Sequence, residues 1–208
     1  PIVMTAENKT AGGWGGLHIC GYAPTNAGSG FSEIGNAAYG GNDANDNSGV
    51  LKYIRLEYTG FALDDEHESN GISFYGVGAG TQVSYVQTYV GADDGLEFFG
   101  GTVNVTNLLA VNPDDDMFDF TQGYSGKLKN CYGVWESGYT STEADPRGIE
   151  ADGNLDGDYS DHLRQSDFTV ENMTIVNNAA NTTDNVDRMQ DVIKIRRGAK
   201  ATITNALV

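Results

Sequence analysis

Two acid-rich segments, in register with each other, hold the residues best suited to chemistry. Asp93-Asp94-Gly95-Leu96-Glu97 is followed by Asp114-Asp115-Asp116-Met117-Phe118-Asp119, so that Asp94 answers to Asp116 and Glu97 to Asp119. Carboxylates in this arrangement suit a hard cation, because Ca²⁺ takes oxygen ligands at about 2.3–2.6 Å and can bridge two carboxylates on adjacent strands. Glu97, Asp119, Asp94, Asp116, Asp93 and Asp115 are therefore the candidate metal ligands, with Ca²⁺ as the candidate cofactor. The plainer reading of the corner acids, Asp64-Asp65-Glu66 and Asp114 included, is that they accept backbone N–H bonds in turns. Glu97 and Asp119 are a different case. If they sit side by side their like charges are mutually destabilising, and something must compensate.

A six-fold internal repeat puts them side by side. LKYIRLEY (51–58), VSYVQTYV (83–90), VTNLLAVN (105–112), LKNCYGVW (128–135), VENMTIVN (170–177) and ITNALV (203–208) superpose without gaps. A unit of about 22 residues built from strands, lengthened by insertion, predicts a stacked solenoid in which no unit buries its apolar face alone. A second series runs half a unit out of step: NGISFYG (70–76), DGLEFFG (94–100), DMFDFTQ (116–122), RGIEADG (147–153) and DVIKIRR (191–197). Here Ile72/Phe74, Leu96/Phe98, Phe118/Phe120, Ile149/Ala151 and Ile193/Ile195 alternate onto one face, which predicts strands with one buried side. Phe74, Phe98 and Phe120 are expected to stack as an inner column. The outward position between them reads Ser73, Glu97, Asp119, Glu150, Lys194, on rungs about 4.8 Å apart. In the first series the third position reads Tyr53, Tyr85, Asn107, Asn130, Asn172, Asn205, which predicts a ladder of Asn amides, expected to be buried. The fourth position, with Cys131 in it, is apolar throughout and reads as core.

The pattern over residues 50–208 resembles the right-handed parallel β-helix, the pectate-lyase-like solenoid. The segments GGWGGLHICGYAP (12–24), DDGLEFFGGTVNV (93–105) and DDDMFDFTQGYSGK (114–127) are similar to secreted β-helix proteins of Gram-negative bacteria, which mostly lack an assigned activity. The resemblance implies an all-β, right-handed parallel β-helix of about six to seven rungs. Residues 1–208 would form one domain, with 1–49 supplying the first strands and a Gly/Asn-rich insertion and 50–208 the repeating rungs. It also implies a secreted or outer-surface location. Polysaccharide lyases on this fold combine acidic Ca²⁺ ligands with a Lys or Arg near the substrate carboxylate. If the chain is an enzyme, Glu97, Asp119, Lys194 and Arg197 are the residues that match those types. The alternative for the basic residues is that they balance an acidic protein.

Twenty-nine acidic residues against 12 basic ones give a net charge of −17, which disfavours nucleic acid and anionic membranes and favours cations. No apolar run is long enough to span a bilayer. Cys131 reads as a buried free thiol, and Cys20 lies too many rungs away to pair with it. Insertions at 60–69, 136–147 and 178–190 leave the same corner and are expected to wall the acidic face. Another, 155–166, carries Asp156, Asp158, Asp161, His162 and Arg164 and leaves from the other end of its strand; DGNLDGD (152–158) is like part of a calcium loop but lacks the terminal Glu, so as that motif it is weak. His18, His67 and His162 share no metal-ligand spacing. Tyr75 and Phe99 beside the acidic column, with Trp135 and Tyr139 near the loop-bearing corner, offer either sugar-stacking faces or ordinary packing. The chain opens on a strand-like PIVMTAE and closes within a strand, so it reads as part of a longer chain or as a unit whose ends meet other copies. Three functions follow: a non-enzymatic surface module binding Ca²⁺ and a polysaccharide or cell-surface glycan, a polysaccharide lyase or hydrolase, or a subunit stacking end to end into a fibre.

Overall fold

The computed structural model describes residues 1–64, 67–154, 164–179 and 189–208. Seven strands, β1 (Ile2–Thr5), β5 (Val50–Glu57), β7 (Gln82–Tyr89), β9 (Asn104–Val111), β11 (Lys127–Trp135), β13 (Asp167–Asn177) and β15 (Lys200–Leu207), pair in that order into one sheet. Six shorter strands, β2 (Leu17–Cys20), β6 (Ile72–Tyr75), β8 (Leu96–Phe99), β10 (Phe118–Thr121), β12 (Ile149–Asp152) and β14 (Ile193–Arg196), pair in order into a second. Every pairing in both sheets is parallel and joins strands from successive turns of the chain, which is the topology of a β-helix. Residues 1–20 belong to the stack, with Ile2 opposite Ile54 and His18 opposite Ser73. No helix among the described residues is long and apolar enough to cross a membrane.

The inner faces of the two sheets enclose the core. Ile72, Phe74, Leu96, Phe98, Phe118, Phe120, Ile149 and Ala151 are all fully buried, as the alternation predicts. Phe74, Phe98 and Phe120 stack at centroid spacings of 5.0 and 5.2 Å, and Phe168 extends the column from Phe120 at 4.1 Å. Such spacing follows from the fold, because in-register parallel strands place like residues one above another at the inter-strand distance. Cys131 is buried and Cys20 half-buried, and both are free thiols.

The Asn ladder forms, but on the outside. Asn130 donates to Asn107 at 3.0 Å, Asn172 to Asn130 at 2.9 Å and Asn205 to Asn172 at 2.8 Å, with Asn130, Asn172 and Asn205 exposed. The expectation that these side chains are buried is corrected by the backbone. Tyr53, Tyr85, Asn107, Asn130, Asn172 and Asn205 all have φ between 55° and 59°. This left-handed kink breaks each long strand and turns the side chain outward. Asn tolerates that conformation better than other residues with a Cβ, which accounts for four of the six.

Residues 21–49, read as an insertion, fold back over the outer face of the shorter sheet. They carry a small antiparallel hairpin, β3 (Gly30–Phe31) and β4 (Ala38–Tyr39). Its Tyr39 packs with Tyr75 and Phe99 into a separate apolar cluster, which Cys20 abuts.

Candidate functional site

Two columns of side chains point outward from the shorter sheet. The first runs His18, Ser73, Glu97, Asp119, Glu150, Lys194, each opposite the next in register. The lateral contact between Glu97 and Asp119 is thus present. The second column, two residues further along each strand, runs Cys20, Tyr75, Phe99, Thr121, then Asp152 and Arg196. The β3–β4 hairpin covers its aromatic half. Tyr75 and Phe99 are therefore buried, stacked on each other at 4.3 Å, and do not offer a sugar-binding face. Trp135 is buried too, its Nε1–H donating to the Pro113 carbonyl at 2.9 Å, and the Tyr139 hydroxyl donates to the same oxygen at 3.0 Å. These two rings dock the 136–147 loop and lie apart from the acidic column, so the stacking role fails for Tyr75, Phe99 and Trp135, and Tyr139 is half-buried in the same packing.

The uncovered half is a cleft of about 920 Å³. Its floor is Asp93, Asp94, Glu97, Asp115, Asp119 and Glu150. One wall is the hairpin, with Phe31 and Glu33; the other is the 60–69 insertion, with Leu63, His67 and Glu68. That insertion walls the acidic face as expected. The 136–147 loop instead ties down Asp114, which accepts from the Thr142 N–H at 2.9 Å and the Tyr139 hydroxyl at 3.2 Å. Asp114 thus anchors a distant loop, with no local backbone N–H bond to its carboxylate among the described residues. Asp65, Glu66, Asp156, Asp158, Asp161, His162 and most of the 178–190 insertion lie outside the described residues.

The floor is electrostatically unbalanced. Among the described residues no Lys, Arg or His lies within ion-pairing distance of Asp93, Asp94, Glu97, Asp115, Asp116 or Asp119. Asp94 and Asp116 are buried, and the Asp116 N–H donates to Asp94 Oδ1 at 2.8 Å. Glu97 accepts from Asn70 Nδ2 at 2.6 Å. Burial first and neighbouring carboxylates second push the acids Asp93, Asp94, Glu97, Asp116 and Asp119 well above the usual carboxylate range. The same causes push Asp115 up to about 7. Two triads have ligand oxygens all within 4.8 Å of one another: Asp93, Asp94, Asp115 and Asp94, Glu97, Asp119.

Positive charge is gathered at the other end of the column. Arg147, only 3% exposed at its side chain, pairs with Glu150 and Asp191, both at 2.7 Å. Arg196 bridges Glu150 and Asp152, Arg197 pairs with Asp152 at 2.8 Å, and Lys194 lies 4.0 Å from Asp145. Lys194 stands opposite Glu150, two strands away from Asp119. Two inter-strand spacings are about 9–10 Å. Glu97, Asp119 and Lys194 therefore occupy one line on the sheet without converging on a point. Arg196, with Lys194 and Arg197, is placed at the end of the acidic column by the repeat, but Arg147, Glu33 and Asn70 are not marked as site residues by the sequence. Asp152 follows from the strand register, whereas no local signal in residues 21–49 shows that Glu33 returns to this face.

Neither curated proteins nor solved structures give a match to this chain. Residues 1–208 match the family described as pectate-lyase like beta helix domain. With all-parallel sheets, an inner aromatic column and an outer acidic column on one continuous stack, the chain belongs to the pectate-lyase-like β-helix family.

Proposed function

We propose that this chain is an extracellular β-helix module that binds Ca²⁺ in the acidic cleft and, through it, a glycan. The observation that carries the reading is the cluster of buried Asp94 with half-buried Glu97 and Asp119, brought together from two adjacent strands and the corner that enters the first, without a cationic partner among the described residues. Burying like charges costs several kcal/mol unless something neutralises them. A Ca²⁺ ion supplies that compensation and takes six to eight oxygens. Three carboxylates leave coordination positions for water or for the hydroxyls and carboxylates of a sugar. Phe31 and Leu63, both 64% exposed on the walls, provide the apolar surface that a sugar face can rest on. Covering of the aromatic column removes the other stacking sites, so the glycan would be held at the cation.

The separation of Lys194 from Asp119, and the ion pairs holding Arg196 and Arg197, favour binding over a lyase mechanism. A proton-abstracting base has to reach the same substrate atom that the cation polarises.

Calorimetric melting in calcium and in chelator tests the reading. A ligand bound only by the folded state stabilises by about 2.7 kcal/mol at a hundredfold excess over Kd. Calcium should raise Tm, and the double variant Glu97→Gln/Asp119→Asn should remove most of the response while melting higher than the parent in chelator. Identical melting with and without calcium would refute cation binding at this cleft.

A further inference from the structure

We infer that the outer face of the longer sheet is a second binding surface, on which Tyr53, Tyr85 and Lys52 hold a linear polysaccharide that bears carboxylates. The core lies between this surface and the acidic cleft, and no cation is needed there. Each long strand passes through its left-handed kink at the residue that forms the outer ladder. Four rungs place Asn at the kink, and their amides bond to one another. Asn suits that conformation because its short polar side chain tolerates positive φ. The strands β5 and β7 place Tyr there instead. Tyr53 is 58% exposed and Tyr85 51%, and their rings stack at 4.8 Å with 13° between the planes. Asn at both positions would extend the ladder and relieve a bulky side chain of positive φ, so the backbone does not call for the rings. Exposed aromatic surface held at a conformational cost points to a ligand.

Charge on this face has the opposite sign to the chain as a whole, which carries −17. The kink position and the outward positions one and three residues before it, followed from β5 to β15, hold Lys52, Lys127 and Lys129 (+3) against Glu171 alone (−1), a net +2. Packed sheets stand about 10 Å apart, beyond the screening length of ~8 Å at physiological salt, so the cleft acids do not cancel this local charge. Lys127 and Lys129 both reach the Glu171 carboxylate, at 2.8 and 3.5 Å. Lys52 pairs with no carboxylate among the described residues and donates to a neutral acceptor, Gln82 Oε1, at 2.9 Å. A ligand carboxylate at Lys52 would reproduce the Lys127–Glu171 pair beside the Tyr53 ring. Spacing then selects the ligand. Lys52 and Lys129 stand three strands apart, about 14 Å, with the hydroxyls of Ser84 and Thr106 between them in the same column. A nucleic-acid strand would bring a phosphate every ~3.4 Å, far more negative charge than this face can meet. A polysaccharide brings few carboxylates and many hydroxyls, and its ring faces rest on aromatic side chains.

Fluorescence anisotropy of labelled carboxymethylcellulose titrated with the chain tests this, in chelator throughout so that no cation can link the polymer to the cleft. Binding is expected, and it should weaken by about tenfold in Tyr53→Asn/Tyr85→Asn and in Lys52→Gln. The double variant installs the residue that the other four rungs carry, so its Tm should be no lower than that of the parent. Lys52→Gln, at an exposed position, decides the matter if the double variant does not fold. Uncharged hydroxyethylcellulose and single-stranded DNA should both bind more weakly than carboxymethylcellulose. Full affinity in either folded variant, equal binding of hydroxyethylcellulose, or tighter binding of cellulose sulfate or single-stranded DNA overturns the assignment. Absence of binding in chelator also overturns it, while leaving calcium binding at the cleft intact.

Discussion

Phe98→Ala should be among the most damaging single substitutions in this chain. Phe98 is fully buried at the centre of the inner column, with Phe74 at 5.0 Å on one side, Phe120 at 5.2 Å on the other and Tyr124 at 4.7 Å. Phe→Ala in a core costs about 3–5 kcal/mol, and aromatic pairs add about 0.5–1.5 kcal/mol each beyond area burial. Three such pairs are lost at once. The neighbouring rings sit on separate strands held at the inter-strand spacing, so they cannot close the cavity without breaking backbone pairing. The upper half of the range, about 4–5 kcal/mol, is expected. At about 2–4 °C per kcal/mol for a chain of this size, Tm should fall by roughly 8–20 °C. Urea unfolding followed by circular dichroism, with calcium saturating in both proteins, should show a lower midpoint and an unchanged slope. Because Phe98 lies between Glu97 and Phe99 on β8, cation affinity should fall with it. A loss below about 1.5 kcal/mol, the scale of deleting one buried methyl group, would mean that the column relaxes freely and that the rigid-rung picture is wrong.

Arg147→Met should destabilise by about 3 kcal/mol in the same urea assay, because it strips a buried cation from Glu150. Arg196 still compensates part of that charge, and a change under about 1 kcal/mol would show that Arg196 suffices. At the outer ladder the Asn130 backbone is left-handed. Asn130→Gly should be nearly neutral there, whereas Asn130→Leu should cost about 1–2 kcal/mol for holding a branched side chain in that conformation. Equal stability of the two variants would remove the conformational explanation. In chelator, stability should fall as pH rises. The folded state keeps protons on the cleft acids that the unfolded chain releases near pH ~4, so stabilisation is complete below that pH and is lost through the folded values, about 7 for Asp115. Melting that becomes higher between about pH 5 and pH 8 without calcium would contradict the shifts in the cleft acids.

Register was legible in the sequence because it is written by periodicity. The offset that aligns LEFF with FDFT is the offset at which Leu96 faces Phe118 and Glu97 faces Asp119. The inner column followed from the same alternation. Burial of Asn107, Asn130 and Asn172 was misjudged because a repeated polar residue signals a repeated backbone need without saying which way the side chain points. Only the left-handed φ shows that it points out. The aromatic residues beside the acidic column were misjudged for a different reason. Alternation correctly puts Tyr75 and Phe99 on the outside of the sheet, but their cover comes from residues 30–39, whose composition carries no strand periodicity and which reach the sheet through a non-local contact.

That cover links the two outer columns. Tyr39 packs on Tyr75 at 5.0 Å and donates its hydroxyl to Gln122 at 2.9 Å, while the Tyr75 hydroxyl donates to Glu33 at 3.1 Å. The aromatic half of the outer face is thus the seat on which the hairpin rests, and the hairpin in turn brings Phe31 and Glu33 to the edge of the acidic half. A solenoid face is otherwise an open surface, on which neighbouring carboxylates would be hydrated and their repulsion weakened by water. By folding 21–49 across one column, the chain turns the other into the floor of a cleft and lowers the local dielectric there. The cover thereby strengthens both the mutual repulsion of Asp94, Glu97 and Asp119 and their attraction for a cation. Tyr75 and Phe99 would then serve the site by holding its wall, and a substitution there should weaken cation binding without removing a single ligand.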